Sequence, residues 1–241
     1  MKNAFEIIYQ DDQILIVNKP SGLLSIPDRF DLSKENLFNL LKQQFEPLYV
    51  VHRLDRETSG LICFCRTAES HRELSISFES REVVKTYLAI VESTPPENEG
   101  LINAPIAHSS SGDGRMVIHP KGKPSITKYR VMKAWNQFCL IELKPETGRT
   151  HQIRIHLAYM GCPIVADKLY GKRDQLTIKD IKVKSKLSKE DEEFRPLINR
   201  TALHAYSLSF NLYQKNLSFQ AEPPKDFRAV MHQLDKWRSL K

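Results

Sequence analysis

Residues 52–61 combine the composition of a turn with side chains that could do nucleophilic or acid-base chemistry. The segment reads H-R-L-D-R-E-T-S-G-L and lies between two apolar runs. A charged loop between two strands can be aimed into a cleft by the rigid sheet behind it. Arg53 and Arg56 flank Asp55 and favour its ionised form, which can act as a nucleophile or base at neutral pH. A solvated turn with local ion pairs is the alternative, because charged turns are common.

A second segment, E-T-G-R-T-H-Q-I-R-I-H-L, concentrates basic side chains at the start of a helix. Apolar residues recur there at helical spacing and predict a helix over residues 150–160. Arg149 and Arg154 would lie near its positive end, in an electropositive corner suited to a carboxylate or a phosphate. His151 and His156 are five residues apart and point to different faces, which excludes zinc binding of the H-E-x-x-H kind.

The elements that position these two segments follow from apolar periodicity. Strands are predicted over residues 5–9, 14–17, 61–65, 83–91, 126–131, 138–143, 203–212 and 217–219. Helices are predicted over residues 36–45, after a Thr67 cap, over 150–160 and near 227–234. Strands and helices alternate without a strict β-α-β rhythm. The predicted fold class is therefore α+β, with a mixed, largely antiparallel sheet and flanking helices.

Length and charge point to a folded protein with a polyanionic partner. The chain has 241 residues, a net charge of +7 and a pI of about 9.2. A basic surface of this kind favours nucleic acid. Residues 172–199 are polar and nearly balanced in charge, so we expect a surface insertion there and not a dedicated RNA arm. The whole of residues 1–241 is expected to form a single catalytic domain.

The expected compartment is the cytoplasm. The first ten residues have no signal-peptide pattern, and no apolar run approaches ~18 residues, so no membrane association is expected. The four cysteines form no C-x-x-C pair. They are predicted to be reduced core thiols, with Cys63 and Cys65 on the same face of a strand.

Three segments, taken together and in this order, resemble the RluA family of RNA pseudouridine synthases. They are residues 52–61, K-T-Y-L-A-I-V at residues 85–91 and T-G-R-T-H-Q-I-R-I-H at residues 147–156. The resemblance runs from residue 18 to residue 205. It implies the pseudouridine synthase fold with a central catalytic cleft, and isomerisation of specific uridines in structured RNA, either tRNA or rRNA. No S4-like domain is expected before the catalytic domain, so target selection would rest on that domain or on its insertion.

The resemblance also implies roles for individual residues. Asp55 is the catalytic aspartate, Tyr87 stacks on the target uracil and can relay a proton, and Arg154 pairs with Asp55. Arg53 would fill the stack vacated by a flipped uridine or hold a phosphate. The residues expected to bind substrate or RNA are Arg53, His52, Arg149, Lys19 and Ile153. For His52 a structural hydrogen bond is the alternative, and for Lys19 plain turn chemistry is the alternative.

Two other functions are compatible with this sequence. A retaining glycoside or nucleoside hydrolase also uses an Asp nucleophile but needs a second carboxylate, for which Glu57 and Glu146 are the nearby candidates. A non-catalytic RNA-binding protein would explain the charge without Asp55. Isomerisation adds nothing to uridine and involves no redox step, so no cofactor, metal or nucleotide is expected. A monomer is expected, and the target RNA, the modified position and the atom that Asp55 attacks are left open.

Overall fold

The computed structural model of the chain describes residues 5–112, 114–182 and 195–240. The chain divides into two compact units. The first contains Met1–Tyr87 and His204–Glu222, and the second contains Leu88–Leu203 and Pro223–Lys241. The expectation that residues 1–241 form one catalytic domain stays a prediction.

The first unit is built on a sheet in which all but one of the described pairings are antiparallel. Its strands follow the order β1-β2-β4-β13, with β3 beside β4 and β14 beside β13. They are β1 (Glu6–Gln10), β2 (Ile14–Lys19), β3 (Tyr49–Val50), β4 (Ser59–Cys65), β13 (Leu203–Leu212) and β14 (Lys215–Gln220). The exception is the short parallel pairing of β13 with β4, where His204 faces Ser59 and Ala205 faces Gly60.

Both faces of the inner strands β2 and β4 are buried, which explains the continuous apolar run of β4. Ile14 and Ile16 of β2 pack in one cluster with Leu74 of helix α2 (Ala68–Glu79), and Cys63 and Cys65 join them. The opposite cluster contains Leu15, Val17, Ile62, Phe64 and two leucines of helix α1 (Leu37–Lys42). Every residue of β4 is buried, as expected for a strand covered on both sides.

The helix starts in this unit are fixed by side-chain caps. The Thr67 hydroxyl accepts a hydrogen bond from the Ser70 N–H, which confirms the predicted cap of α2. The side chain of Asn36 accepts one from the Asn39 N–H and begins α1. These caps satisfy N–H groups that have no partner within the helix.

The second unit contains an antiparallel sheet in the order β10-β9-β6. Its strands are β6 (Glu99–Asn103), β9 (Ile126–Trp135) and β10 (Phe138–Pro145), and β5 (Val84–Glu92) enters this unit after Tyr87. The strands predicted over residues 126–131 and 138–143 are confirmed, and they form a hairpin in which β9 pairs with β10 from Trp135–Phe138 to Thr127–Pro145. A smaller hairpin joins β7 (Ile106–His108) to β8 (Met116–Ile118).

The helices of the second unit are α3 (Gln152–Tyr159), α4 (Ile178–Ile181) and α5 (Lys225–Trp237). Helix α3 begins two residues later than predicted. His151 has a φ of 53°, which lies in the left-handed region and is incompatible with a right-handed helix. The closing helix is confirmed, with Phe227, Val230 and Leu234 buried along one face.

Part of the predicted surface insertion belongs to the packed unit. Strand β11 (Leu176–Thr177) pairs with β12 (Pro196–Ile198), and Leu176, Ile181 and Ile198 are buried. The surface insertion over residues 172–199 stays a prediction, and its residues 183–194 lie outside the described residues.

The predicted α+β class, with mixed and largely antiparallel strands, is confirmed. The four cysteines are buried free thiols, as expected. Over the described ranges, no helix is both long and apolar enough to cross a bilayer.

Candidate active site

Asp55 lies in the loop between β3 and β4, where it is half-buried. The residue before it, Leu54, is packed in the core and is tied to Ser25 by two hydrogen bonds. The Ser25 hydroxyl accepts from the Leu54 N–H at 3.1 Å and donates to the Leu54 carbonyl at 2.8 Å. Both residues are buried, so water cannot readily replace these bonds. The backbone that carries Asp55 is therefore held from one side.

A buried lysine holds the loop from the other side. The ammonium of Lys19 donates to the carbonyls of Pro20 at 2.9 Å, Leu23 at 2.8 Å and Arg56 at 3.1 Å. Gly22 adds a reciprocal pair, because its N–H donates to the Arg56 carbonyl at 2.8 Å and its own carbonyl accepts from Arg56 Nε at 2.9 Å. Lys19 is completely buried, which argues against its predicted contact with RNA and assigns it to positioning the loop.

The start of β4, where the loop ends, is fixed by a glycine and by a hydrogen bond to a buried histidine of β13. Gly60 has a φ of +114°, and a Cβ there would lie 2.2 Å from the carbonyl oxygen of Ala205. Only glycine allows this approach of β4 to β13. Ser59 Oγ lies 3.0 Å from Nδ1 of His204, whose Nε2 lies 2.8 Å from the Ala221 carbonyl. Because a carbonyl can only accept, Nε2 carries a proton, and in the neutral imidazole Nδ1 then accepts from Ser59.

Tyr87 of β5 lies near Asp55. Its ring packs on the apolar cluster that contains Leu54 and Ala205. Burial, with a further contribution from the charge of Asp55, raises the pKa of Tyr87. The hydroxyl therefore keeps its proton at neutral pH and can donate a hydrogen bond close to a carboxylate. The structure brings these two predicted catalytic residues together.

His52 has a structural environment. Its Nε2 accepts a hydrogen bond from the Cys63 N–H at 2.9 Å, and its ring stacks on Phe78 with centroids 4.8 Å apart. Burial, with the nearby charge of Lys85, lowers the pKa of His52 to about 3. A neutral, stacked imidazole fits the structural alternative better than the predicted RNA contact. Arg53, by contrast, is exposed, as a contact to RNA requires.

Arg154 of α3 is buried in the second unit against Asp167. Its Nε donates to Oδ2 at 2.7 Å and its Nη2 to Oδ1 at 2.8 Å, which makes a bidentate pair. The Arg154 guanidinium also lies over the ring of Tyr170, with its Cζ 5.2 Å from the ring centroid. Asp167 Oδ1 further accepts the N–H groups of Leu169 and Tyr170, so the carboxylate itself is held in place. The pairing of Arg154 with Asp55 stays a prediction.

The start of α3 is set by a buried glutamine. Gln152 Oε1 accepts from the Thr147 hydroxyl at 2.7 Å and from the Arg149 N–H at 3.0 Å. Its amide nitrogen donates to Ile126 and Thr127 of β9. Gln152 therefore ties the helix to the sheet of the second unit.

The remaining predicted binding residues of the second unit differ in exposure. Arg149 is half-buried, with its Nε 3.5 Å from the Pro124 carbonyl, and Ile153 is buried. Ile153 therefore contributes to packing. A buried side chain has little surface to offer to RNA, so the burial of Ile153 does not support its predicted RNA contact.

Three residues that fix predicted site residues within their own unit were not identified from the sequence as functional. Ser25 and Gln152 act through buried hydrogen bonds, and their sequence signal is only that of a turn and of a polar residue inside a helix. Asp167 lies near the second motif, but nothing in its spacing distinguishes it as the partner of Arg154. No cluster of His, Cys, Asp or Glu that could hold a metal ion occurs among the residues described.

The chain matches known proteins over most of its length. A family model described as RNA pseudouridylate synthase matches residues 13–159. The dual-specificity RNA pseudouridine synthase RluA of Escherichia coli K12 is 36% identical over 225 residues, covering 92% of this chain and 93% of that protein. An uncharacterised RNA pseudouridine synthase of Zymomonas mobilis is 37% identical over 231 residues, covering 93% of this chain and 96% of that protein.

Two solved human structures have a similar fold. RNA pseudouridylate synthase domain containing 4 superposes with a TM-score of 0.72 at 29% identity, covering 95% of this chain and 92% of that one. RNA pseudouridylate synthase domain containing 1 gives a TM-score of 0.69 at 28% identity, with coverages of 91% and 84%. The predicted site residues, from Lys19 to Arg154, all lie within the residues that the family model matches, whereas Asp167 lies beyond them.

Ser25→Ala is expected to lower the free energy of unfolding by about 1–3 kcal/mol, because it leaves the N–H and the carbonyl of buried Leu54 unsatisfied. The control is Ser33→Ala, whose hydroxyl is exposed and bonded to an exposed carboxylate, and its effect should stay within about 0.5 kcal/mol. Urea unfolding measures both variants. Equal stabilities of the two variants would show that the tie between Ser25 and Leu54 is not a stabilising contact.

Asp167→Asn is expected to destabilise the protein by about 3–5 kcal/mol, because it removes a buried counter-charge from Arg154. The matched control is Asp226→Asn, which weakens another bidentate pair, that with Arg200. The Asp226 side chain is 34% exposed, whereas that of Asp167 is fully buried. The control should therefore lose less stability in urea unfolding, and a larger loss in the control would contradict the assignment.

Proposed function

The chain belongs to the RluA family and is an RNA pseudouridine synthase, and we propose that Asp55 is the catalytic carboxylate of its reaction. The observation that carries the assignment is the fixed position of the Asp55 loop beside Tyr87. Lys19 and Ser25 hold the backbone on either side of Asp55. A reacting group held in one geometry before substrate arrives loses less entropy when it reacts.

The reaction needs a nucleophile or base and a place for one proton. The bond between N1 and C1′ of uridine breaks, the base turns, and C5 bonds to C1′. The hydrogen on C5 leaves as a proton, and N1 gains a proton, so atoms and electrons balance without an oxidant or a reductant. Attack of Asp55 at C1′, attack at C6 and removal of the 2′ proton all begin from the ionised carboxylate. The arrangement around Asp55 is compatible with each route.

Tyr87 is proposed to hold the target base and to handle the proton. A tyrosine ring stacked on a base contributes roughly 1–3 kcal/mol of binding free energy. Its raised pKa keeps the hydroxyl protonated, so Tyr87 can donate a proton or a hydrogen bond, and it accepts the proton from C5 only after giving up its own. The ring and the hydroxyl therefore have separable tasks.

RNA is the substrate, and the uridine must leave its stack before Asp55 can reach it. Arg53 is exposed next to this loop, and we propose that it fills the vacated stack or holds a phosphate. For the second unit, Arg149 and Arg154 remain the proposed electropositive residues, with Arg154 paired to Asp55.

The substrates proposed for this chain are tRNA and rRNA. The name of the Escherichia coli relative describes that enzyme as having dual specificity. By analogy we propose that this chain modifies more than one RNA, as a monomer in the cytoplasm. Pseudouridine mapping across all host RNAs, with and without the gene, tests the substrate. If deletion of the gene removed pseudouridine at only one site in one RNA, that result would argue against dual specificity.

Asp55→Asn is expected to reduce pseudouridine formation by more than about 10⁴-fold, the size of loss that follows removal of a nucleophile. The amide keeps the shape of the side chain, so folding and RNA binding should persist. The assay detects pseudouridine by chemical derivatisation and free uracil by chromatography. Released uracil in the wild-type reaction would support the hydrolase alternative. RNA binding without either product would support the non-catalytic alternative, and a fully active Asp55→Asn variant would exclude the proposed role.

Tyr87→Phe is expected to slow turnover by about 10²-fold, the lower end of the range for a group that transfers a proton. The affinity for RNA should change little because the ring is retained. Tyr87→Leu serves as the comparison, since it removes both the ring and the hydroxyl and should lower affinity as well. Single-turnover kinetics at saturating enzyme separate the two effects. Wild-type turnover in Tyr87→Phe would restrict this residue to stacking.

A further inference from the structure

Residues 26–35 form a loop, here called the Phe30 loop, whose two ends are joined by hydrogen bonds. The Leu37 N–H donates to the Leu24 carbonyl at 2.8 Å, and the Phe38 N–H donates to the Ser25 carbonyl at 3.2 Å. The chain thus leaves the buried core of the first unit after Ser25 and returns to it at the start of α1. Compact loops with closed ends of this kind are frequently functional.

The Phe30 loop presents its apolar side chains to solvent. Phe30 is 97% exposed and Leu32 is 77% exposed, the two highest values for large apolar side chains in the described part of the chain. A single exposed apolar residue is ordinary. Here two large apolar side chains, two residues apart in one loop, are both exposed in the described part of the chain.

The loop is held in shape by its own acidic residues. Asp28 accepts hydrogen bonds from the N–H groups of Phe30 at 2.9 Å and Asp31 at 3.0 Å, and Asp31 accepts from the Ser33 N–H at 3.1 Å. Lys34 forms ion pairs with both aspartates, at 3.4 and 3.9 Å. The hydrogen bond from the Phe30 N–H is the largest cause of the lowered pKa of Asp28, so the carboxylate stays ionised at neutral pH. The two carboxylates therefore stabilise the backbone of the loop, and the side chains of Phe30 and Leu32 are exposed to solvent.

The position of the loop relates it to the candidate catalytic residue. Ser25, at the base of the loop, is bonded to Leu54, the neighbour of Asp55. Phe30 is five residues from Ser25, and a fully extended chain reaches at most about 3.6 Å per residue. Phe30 therefore lies within about 18 Å of Ser25. At about 3.4 Å of rise per stacked nucleotide, this upper limit corresponds to at most about five nucleotides.

We propose that Phe30 is a stacking platform for an unpaired base of the substrate RNA, a few nucleotides from the target uridine, with Leu32 extending the platform. The proposal rests on the proposed role of Asp55 and concerns recognition instead of chemistry. Every base presents a π-face, so an aromatic ring can hold unpaired RNA without reading its sequence. The loop carries Arg29 and Lys34 against three acidic residues, which favours stacking over phosphate binding. RNA is favoured over a protein partner because the loop adjoins the backbone that carries Asp55.

The test measures dissociation constants for an end-labelled RNA hairpin with a uridine-containing loop, by fluorescence anisotropy. Phe30→Ala should raise Kd about tenfold, within the range of roughly 5- to 150-fold that loss of one stacked base implies. Phe30→Trp keeps an aromatic ring, so its Kd should lie within about twofold of the wild-type value. The control is Ile76→Ala, which removes a 56% exposed side chain from α2 of the same unit and should leave Kd unchanged. A blunt duplex of the same composition should show no dependence on Phe30, because it offers no unpaired base at the loop.

Three results would overturn the proposal. The first is wild-type affinity of Phe30→Ala for the hairpin, and the second is an equal loss of affinity for the duplex. The third is dissociation of an oligomer in sedimentation when Phe30 is replaced, which would make the loop a protein interface. The measurement is of binding and is repeated in the Asp55→Asn background. Failure of the catalytic assignment would appear as retained product formation by Asp55→Asn, whereas failure of the loop proposal would appear as an unchanged Kd.

Discussion

The burial of the Lys19 ammonium is the interaction on which the geometry of the Asp55 loop depends. A charge removed from water is strongly destabilising unless hydrogen bonds replace its solvation. Lys19 obtains three carbonyl oxygens only if its own turn and the backbone at Arg56 come together. Folding the amine into the core therefore fixes the loop one residue away from Asp55. The backbone that carries Asp55 is thus fixed by contacts within the protein, as the catalytic role proposed for this residue requires.

The sheet behind the loop makes this fixation possible. Strand β4 is covered on both faces, so its register against β2 and β13 cannot slip without exposing one of two cores. Gly60 adds a steric limit, because it allows the backbone of β4 to meet Ala205 where no side chain would fit. Asp55 thus lies on a short loop that ends in a strand buried over its whole length. A loop attached to a rigid strand is well suited to the role proposed for Asp55, because the strand fixes where the loop ends.

Local patterns made most of the elements predictable from the sequence. The apolar run of β4, the Thr67 cap and the β9–β10 hairpin each depend on neighbours in the chain. The start of α3 was misplaced because the left-handed conformation of His151, whose Nδ1 lies 3.0 Å from the Tyr170 hydroxyl, is not encoded in helical periodicity. The buried partner of Arg154 was not predictable for the same reason. Choosing Asp167 among several carboxylates requires the tertiary geometry that makes the pair bidentate.

Charge alone is a poor guide to how this protein selects its RNA. A net charge of +7 attracts any polyanion. Several basic side chains of the second unit are already paired with acids, namely Lys128 with Glu146, Arg130 with Glu142 and Lys133 with Asp235. The net charge already counts these acids, and the ion pairs leave fewer basic side chains open to phosphates. If the Phe30 loop stacks on an unpaired base, as proposed, selection draws on stacking as well as on charge. Flipping a uridine costs least where it is already unpaired. A surface that prefers unpaired bases would therefore also favour the uridines that reach Asp55 with the smallest loss of stacking.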